Sequence, residues 1–335
     1  MKTFTRHKKQ AVPGKNGDDS IELRLEWAPA IEAGTPLVDE HVFLLGRPSM
    51  RQYLSFVTDL AIDAADEQEL SAEWRHASKA VARREAEEPE IADNPSINPL
   101  PDSYSALRDA LGEDPSFRSF NLVTTEVAMV RLDDMVVYQK HINLEFTKQL
   151  RLKLGKHPSE EAIFRTCLPF DHSSPPPVRF MRTNNNTFVF LSPSNDIRYL
   201  GSMQLKQENI VGVDSPANMV ACIGLAVGFG SNFLNAIHCE NRLVLNNGSH
   251  RAFALREMGI THAPCIVQHV ASREELKAVA SSDLRRNPDQ YLRGPRPSMI
   301  KDYFDPELRK VVPCQRRLRQ VRVKYFSDES DLPAI

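Results

Sequence analysis

Long apolar runs are missing from this chain. No stretch approaches the roughly 18 consecutive apolar residues that span a bilayer. The longest candidate, 219–229, is interrupted by Gly224 and Gly228. A one-sided charge is missing too. Its 42 Lys and Arg face 44 Asp and Glu, a formal net charge of −2, which argues against a surface built wholly for nucleic acid. Cysteine is sparse: Cys167, Cys222, Cys239, Cys265 and Cys314 are five, scattered and without a C-x-x-C pair. That fits the reduced thiols of a cytoplasmic protein better than a disulfide framework or a zinc site. No apolar core follows the basic residues at 1–10, so no secretory leader is read there. An internal repeat is also lacking.

What is present is enough for a real core. The 335 residues are 41% hydrophobic and 26% charged, and a chain of this length accommodates two structural units. Residues 1–20 are polar and read as a flexible tail. Residues 21–87 read as a mainly helical region. Ile21, Leu23, Leu25 and Trp27 alternate as one strand, and Val42 to Leu45 are a second short apolar element. Met50, Tyr53, Leu54, Val57, Leu60 and Ala61 then mark one helix face, and Leu70, Trp74, Ala77 and Val81 another. Residues 88–104 hold Pro89, Pro95, Pro99 and Pro101, a density that predicts a linker and a domain boundary.

From 105 to 282 strands and helices mix. Val127 to Val130 and Val136 to Tyr138 read as strands, and 144–154 as a helix. Residues 187–191 and 196–200 are expected to pair as a hairpin, and 215–229 to be helical. Phe233 to His238 should pair with Arg242 to Leu245, and 263–270 forms another strand. Ser272 with Glu275 predicts a capping box opening a helix to about 281. The remainder, 283–335, is a basic extension whose cations run from Arg309 through Arg316, Arg317, Arg319 and Arg322 to Lys324. There Arg319, Val321, Val323 and Tyr325 also fit an alternating strand.

One stretch carries chemistry. Leu243-Val244-Leu245 is a short strand, Asn246-Asn247-Gly248 a turn, and Ser249 onward a helix ending at Gly259. Gly248 tolerates positive φ, and Ser249 is a good N-cap candidate. His250 and Arg251 add cationic donors to a helix start whose dipole already favours an anion. A solvated His-Arg pair at an ordinary strand-to-helix connection would give the same pattern.

The block from Arg242 to Val270 resembles the signature region of the ParB/sulfiredoxin superfamily. The match is Leu243-Val244-Leu245-Asn246-Asn247-Gly248-Ser249-His250-Arg251, a small-residue helix to Gly259, then a strand entered through His262-Ala263-Pro264. The resemblance covers about 121–270. It implies an α+β fold, a mixed sheet with flanking helices, preceded by a smaller mainly helical N-terminal region. It also implies that Asn247, Gly248, Ser249, His250 and Arg251 bind nucleotide phosphates, from ATP, ADP or CTP with Mg²⁺. Relatives with sulfinic-acid reductase activity carry a nucleophilic Cys where this chain has Ser249. Partition relatives carry Gly-Glu-Arg-Arg and a following DNA module, and this chain departs from both. Asn247 stands where Asp is common.

In this reading Arg251 clamps a phosphate through its planar fork. His250 donates to a phosphate oxygen or acts as general acid. Ser249 caps the helix rather than attacking, and Gly248 lets a ligand approach the backbone. Phosphoryl transfer needs an acid as well. Glu145 is the candidate, with Asp133, Asp134 and Glu240 behind it, each of which could equally be a solvated carboxylate. The expected function is nucleotide binding, extending to an ATP/ADP-dependent phosphotransferase or NTPase acting on a small molecule. The alternative is a non-enzymatic DNA-associated regulator that uses Arg309 to Lys324.

Overall fold

The computed structural model describes residues 37–63, 66–170, 176–184, 186–194, 196–206, 220–230 and 232–333. The tail at 1–20 and the strand expected at 21–27 lie outside the described residues. The described chain is mixed α and β, and its centre is a five-stranded sheet in the order β10-β9-β11-β3-β2. The strands are β2 (Ile97–Pro99), β3 (Thr124–Arg131), β9 (Asn235–Cys239), β10 (Arg242–Asn247) and β11 (His262–His269).

Local signals set the middle of this sheet. Glu240 and Asn241 both take positive φ (48° and 68°), so β9 and β10 close through a two-residue turn whose twist suits a hairpin. Arg242 through Leu245 are all buried. A strand covered on both faces reads as a continuous apolar run rather than an alternation. The helix α6 (Ser249–Glu257) crosses back from β10 to β11, which runs parallel to β9 and antiparallel to β3. One face packs Leu243, Leu245, Phe253, Leu255 and Ile266. On the other face Val244 and Ile237 meet Leu276, Leu284 and Leu292. Those three leucines come from α7 (Arg273–Val279), α8 (Ser282–Arg286) and α9 (Pro288–Leu292).

A second sheet has β1 (Val38–Leu44) between β4 (His141–Asn143) and β12 (Arg309–Gln315). It carries α1 (Met50–Leu60) and α2 (Glu67–Glu87). Phe43, Tyr53, Phe56, Leu70, Ala77 and Val312 form their shared core. The Ser49–Gln52 capping box starts α1, and Asp66 caps α2. Gly46 cannot be replaced: its φ is +78°, and a Cβ there would lie 2.7 Å from the Ala77 carbonyl carbon.

Several expectations are corrected. Residues 88–104 are not a linker. β2 lies inside them and pairs with β3 at the sheet edge, where Pro99 lacks no needed donor. Ala92 is buried, and Asp93 binds Arg242 at 2.6 Å, so no domain boundary falls there. Nor is 38–87 a separate helical region. Arg84 meets Asp305 at 3.0 Å, Ala80 and Val81 pack on Leu308, and β1 is a sheet partner of β12. The described part of 215–229 forms a strand, β8 (Cys222–Phe229), which pairs with β7 (Ile197–Leu205). Its small residues alternate with Ile223, Leu225 and Val227, a period of two. The hairpin expected between 187–191 and 196–200 is absent. β6 (Thr187–Ser192) pairs instead with β5 (Arg179–Asn184) and β13 (Arg319–Lys324). Ser272 does cap α7, but Glu275 accepts the N–H of Ala271 rather than that of Ser272. Among the described residues no helix is long and apolar enough to cross a membrane.

Two buried arginines tie Glu88 and Asp93, just past α2, to the segment at 291–302. Arg242 donates to Asp93 and to the carbonyls of Tyr291 and Gly294. Arg296 donates to Asp302 at 2.6 and 3.0 Å and to Glu88 at 2.8 Å. Arg296 and Asp302 are each at most 4% exposed. Removing one partner of such a pair leaves an uncompensated buried charge. Arg296→Met is therefore expected to lose about 3–5 kcal/mol in urea unfolding. Arg293→Met, at the surface, should leave the urea midpoint close to that of the unchanged chain, because exposed ion pairs contribute little.

Candidate functional site

The strand-to-helix turn is built as expected at Gly248 and differently on either side of it. Gly248 has φ 102° and is itself the N-cap of α6. Ser249 is the first helical residue, so the expected serine cap is corrected to a glycine cap. No side chain caps α6, which leaves first-turn N–H groups without a capping acceptor. The glycine is demanded by packing as well as by φ. A Cβ at Gly248 would sit 2.6 Å from Leu234 Cδ1 and 3.2 Å from Leu234 Cα. The close approach made there is thus to Leu234.

Arg251 does not face outward. It is 5% exposed, and its Nη1 donates to the carbonyls of Cys167 (3.0 Å), Thr166 (3.4 Å) and Asn232. Nη2 donates to Asn232 Oδ1 at 2.5 Å. Thr166 and Cys167 end α5 (Glu160–Cys167), where carbonyls lack helical partners and a cation is favoured. Burial lowers the Arg251 pKa to about 10, partly opposed by Cys167 and Asp196. The phosphate clamp expected at this position is corrected to an internal staple, because its fork is already occupied by backbone carbonyls and the Asn232 side-chain oxygen.

His250 is also turned inward. Its Nε2 accepts the backbone N–H of Asn143 at 3.1 Å, and its ring meets the edge of Phe146 at 5.2 Å between centroids. Burial, then His141, His41 and Arg251, push its pKa down to about 3. It is neutral near pH 7 with Nε2 engaged, so a general acid or a cationic phosphate donor is not what this position offers. Asn143 caps α4 (Leu144–Leu154) through its side chain. Glu145 sits in the first turn of that helix, 35% exposed, 3.8 Å from Lys148 and accepting from Gln149. The structure thus brings Glu145 and His250 to one junction, with Glu145 on its solvated side.

Two histidines that sequence reasoning missed complete this junction. His41 and His141 lie on neighbouring strands with their Nδ1 atoms 3.0 Å apart, one donating to the other. Phe56 packs against both rings. Burial lowers the pKa of His41, and burial with His41 and Lys140 lowers His141 to about 4. Beside them Asp39 accepts from Asn143 Nδ2 and from Arg316. Residues so far apart in the chain carry no spacing signal.

The open space near the turn lies at the end of β10. A cleft of about 560 Å³ is lined by Asn235, Asn246, Asn247, Gln268, Arg198 and Arg319, among others. The amides are held in place. Asn246 donates to Asn235 Oδ1 at 3.0 Å and accepts the Ser281 N–H, and Asn247 donates to the Phe233 carbonyl. Arg198 pairs with Asp196 at 2.7 Å, and burial raises the Asp196 pKa. Fixed amides and two guanidinium groups suit a polar ligand with an anionic part. Of the expected phosphate-binding residues, Asn247 lines this cleft. Asn235, Gln268 and Arg198 were not foreseen, and Arg319 was expected only in the basic run that would contact DNA. Among the described residues no group of three or more His, Cys, Asp or Glu side chains could hold a metal ion.

The three histidines generate a pH dependence. In the unfolded chain their pKa returns to the ordinary 6.5, above the folded values of about 3 for His250 and about 4 for His141. The unfolded state then binds more protons, so stability falls as pH drops through 6.5 toward 4. His250→Gln, which keeps an acceptor for Asn143, should make the fall in melting temperature over that range shallower. An equally steep fall in the variant would remove His250 from the effect. No protein-family model, curated protein or solved structure matches this chain.

Proposed function

We propose that this chain is a nucleotide-binding protein whose core is of ParB/sulfiredoxin type, with the ligand in the cleft beside the β10–α6 turn. The observation that carries the reading is the juxtaposition of that 560 Å³ polar cleft with a glycine turn and a helix start that no side chain caps. The amides of Asn235, Asn246, Asn247 and Gln268 offer donors and acceptors of the kind a base or ribose requires. Arg198 and Arg319 offer charge for phosphate oxygens. Mg²⁺ would arrive on the phosphates, the usual way this ion enters nucleotide sites.

Binding is better supported than phosphoryl transfer. Glu145 and His250 are not among the residues that line the cleft, and His250 is neutral and engaged. The DNA-associated alternative draws on β12, β13 and the turn between them. Several of their cations are already paired: Lys310 with Glu73, Arg316 with Asp39, and Arg309 with the Tyr303 carbonyl. What remains for phosphate contacts is Arg319, Arg322 and Lys324 on β13.

Calorimetry against ATP, ADP, CTP and GTP with Mg²⁺ tests the reading. At least one nucleotide should bind saturably, and Arg319→Ala should weaken it about tenfold, the loss of one charge-assisted contact. Absence of binding by all four, or unchanged affinity in Arg319→Ala and Asn247→Ala together, overturns it. Binding to short duplex DNA that falls steeply with added salt would favour the alternative instead.

A further inference from the structure

The sheet β13-β6-β5 carries a row of aromatic rings on one face. Phe190 lies opposite Phe180 on one side and Val321 on the other, and Phe188 lies opposite Arg182 and Val323. Directly opposed residues share a face, and alternate residues along a strand return to it. Phe180, Phe188, Phe190 and Tyr325 are therefore on the same side, and their rings touch. Phe180 and Phe188 stack at 5.9 Å between centroids, and Phe188 and Tyr325 at 6.2 Å, each pair with planes 24° apart. Phe180 also meets Phe190 at 5.1 Å. The row runs from one edge strand across the middle strand to the other edge.

This face is turned to solvent. Phe180 is 56% and Tyr325 43% exposed, while Phe188 and Phe190 are half-buried. On the opposite side of the sheet Thr187 and Val189 are buried. A contiguous exposed apolar patch of this kind marks a place where something binds. The charge around it has one sign. The three strands contain five Lys or Arg and no Asp or Glu, in a chain whose net charge is −2. Arg319 shares the aromatic face, and Arg322 and Lys324 leave the same edge strand on its other side. All three are exposed, and none forms an ion pair among the described residues. The acids that follow, Asp328, Glu329 and Asp331, lie beyond β13 in exposed chain.

We propose that this face binds single-stranded nucleic acid, with unpaired bases stacking on the exposed rings of Phe180 and Tyr325 and the backbone passing Arg319, Arg322 and Lys324 along the β13 edge. Aromatic side chains take unpaired bases of any sequence by stacking, and a line of cations follows the phosphates. A duplex keeps its base faces in its own stack and would use the cations alone. An acidic protein segment would answer the cations and leave the row of rings without a role. Phe180 and Tyr325 do not line the nucleotide cleft. Only Arg319 belongs to both places, so either site can fail alone.

The test is fluorescence anisotropy of the full chain with labelled oligo(dT), oligo(U), a duplex of equal length, and heparin. At least one single strand should bind about tenfold tighter than the duplex, and the better of the two identifies the sugar. Phe180→Ala and Tyr325→Ala should each weaken that binding about tenfold, the scale of one lost base stack, with the salt dependence unchanged. Phe180→Leu keeps apolar bulk at an exposed position and should weaken it nearly as much, which separates stacking from a loss of folding. Arg322→Gln with Lys324→Gln should instead flatten the salt dependence. Nucleotide affinity in the cleft should be unchanged in Phe180→Ala. Failure of both single strands to bind, equal or tighter binding of the duplex or of heparin, or wild-type affinity in the ring variants would overturn the proposal.

Discussion

The guanidinium of Arg251 is the contact on which the centre of the molecule depends. It lies where three segments converge: the end of α5, the loop before β9, and the first turn of α6. Cys167's carbonyl receives both Arg251 and the N–H of Leu234. Leu234 in turn is the residue that forbids a side chain at Gly248. Arginine, glycine and leucine thus form one mechanical unit, and the glycine turn is shaped by this contact as much as by its own torsion angles. A buried cation of this kind is held by carbonyl dipoles rather than by a carboxylate, so its desolvation is offset by several partial charges instead of one full charge.

Arg242 and Arg296 extend the same principle outward. Each takes a residue near the end of α2 or just beyond it and fixes it to the segment around 291–302. The proline-bearing stretch after α2 is therefore ordered by ion pairs and one short edge strand. Backbone bonds from Glu90 to Pro295 and from Asn94 to Asn241 add to these, donated by residues that are not proline, so four prolines are compatible with a packed conformation.

Local chemistry made part of this legible in advance. The helix expected over 144–154 is found at Leu144–Leu154, because an Asn cap, a run of good helix formers and Gly155 punctuate it on both sides. The β9–β10 hairpin and the strand after α6 were equally readable from short-range pattern. The elements that escaped notice depend on distant partners. β2 exists because β3 offers it an edge, and β6 chose β13 over its neighbour β7. The site divides the same way. That Gly248 must be glycine was visible in the sequence. Whether Arg251 points to solvent or inward depends on Thr166, Cys167 and Asn232, residues that no spacing rule connects to it. The cleft is assembled from β7, β9, β10, β11 and β13, so only its β10 contribution could be anticipated.

The pairing of β1 with β12 sets an order in time. Residue 42 is opposite residue 311, whereas its other neighbour, residue 142, is made much earlier. During synthesis β1 and β4 can zip together with α1 and α2 packed on them, while the flank that β12 will cover stays open. An uncovered strand edge bearing Val42 and Phe43 invites pairing with other chains. Contacts this distant in sequence are also slow to form. The nascent chain therefore passes through a stage in which this sheet is built and unsealed, until β12, made long after β1 and β4, closes it.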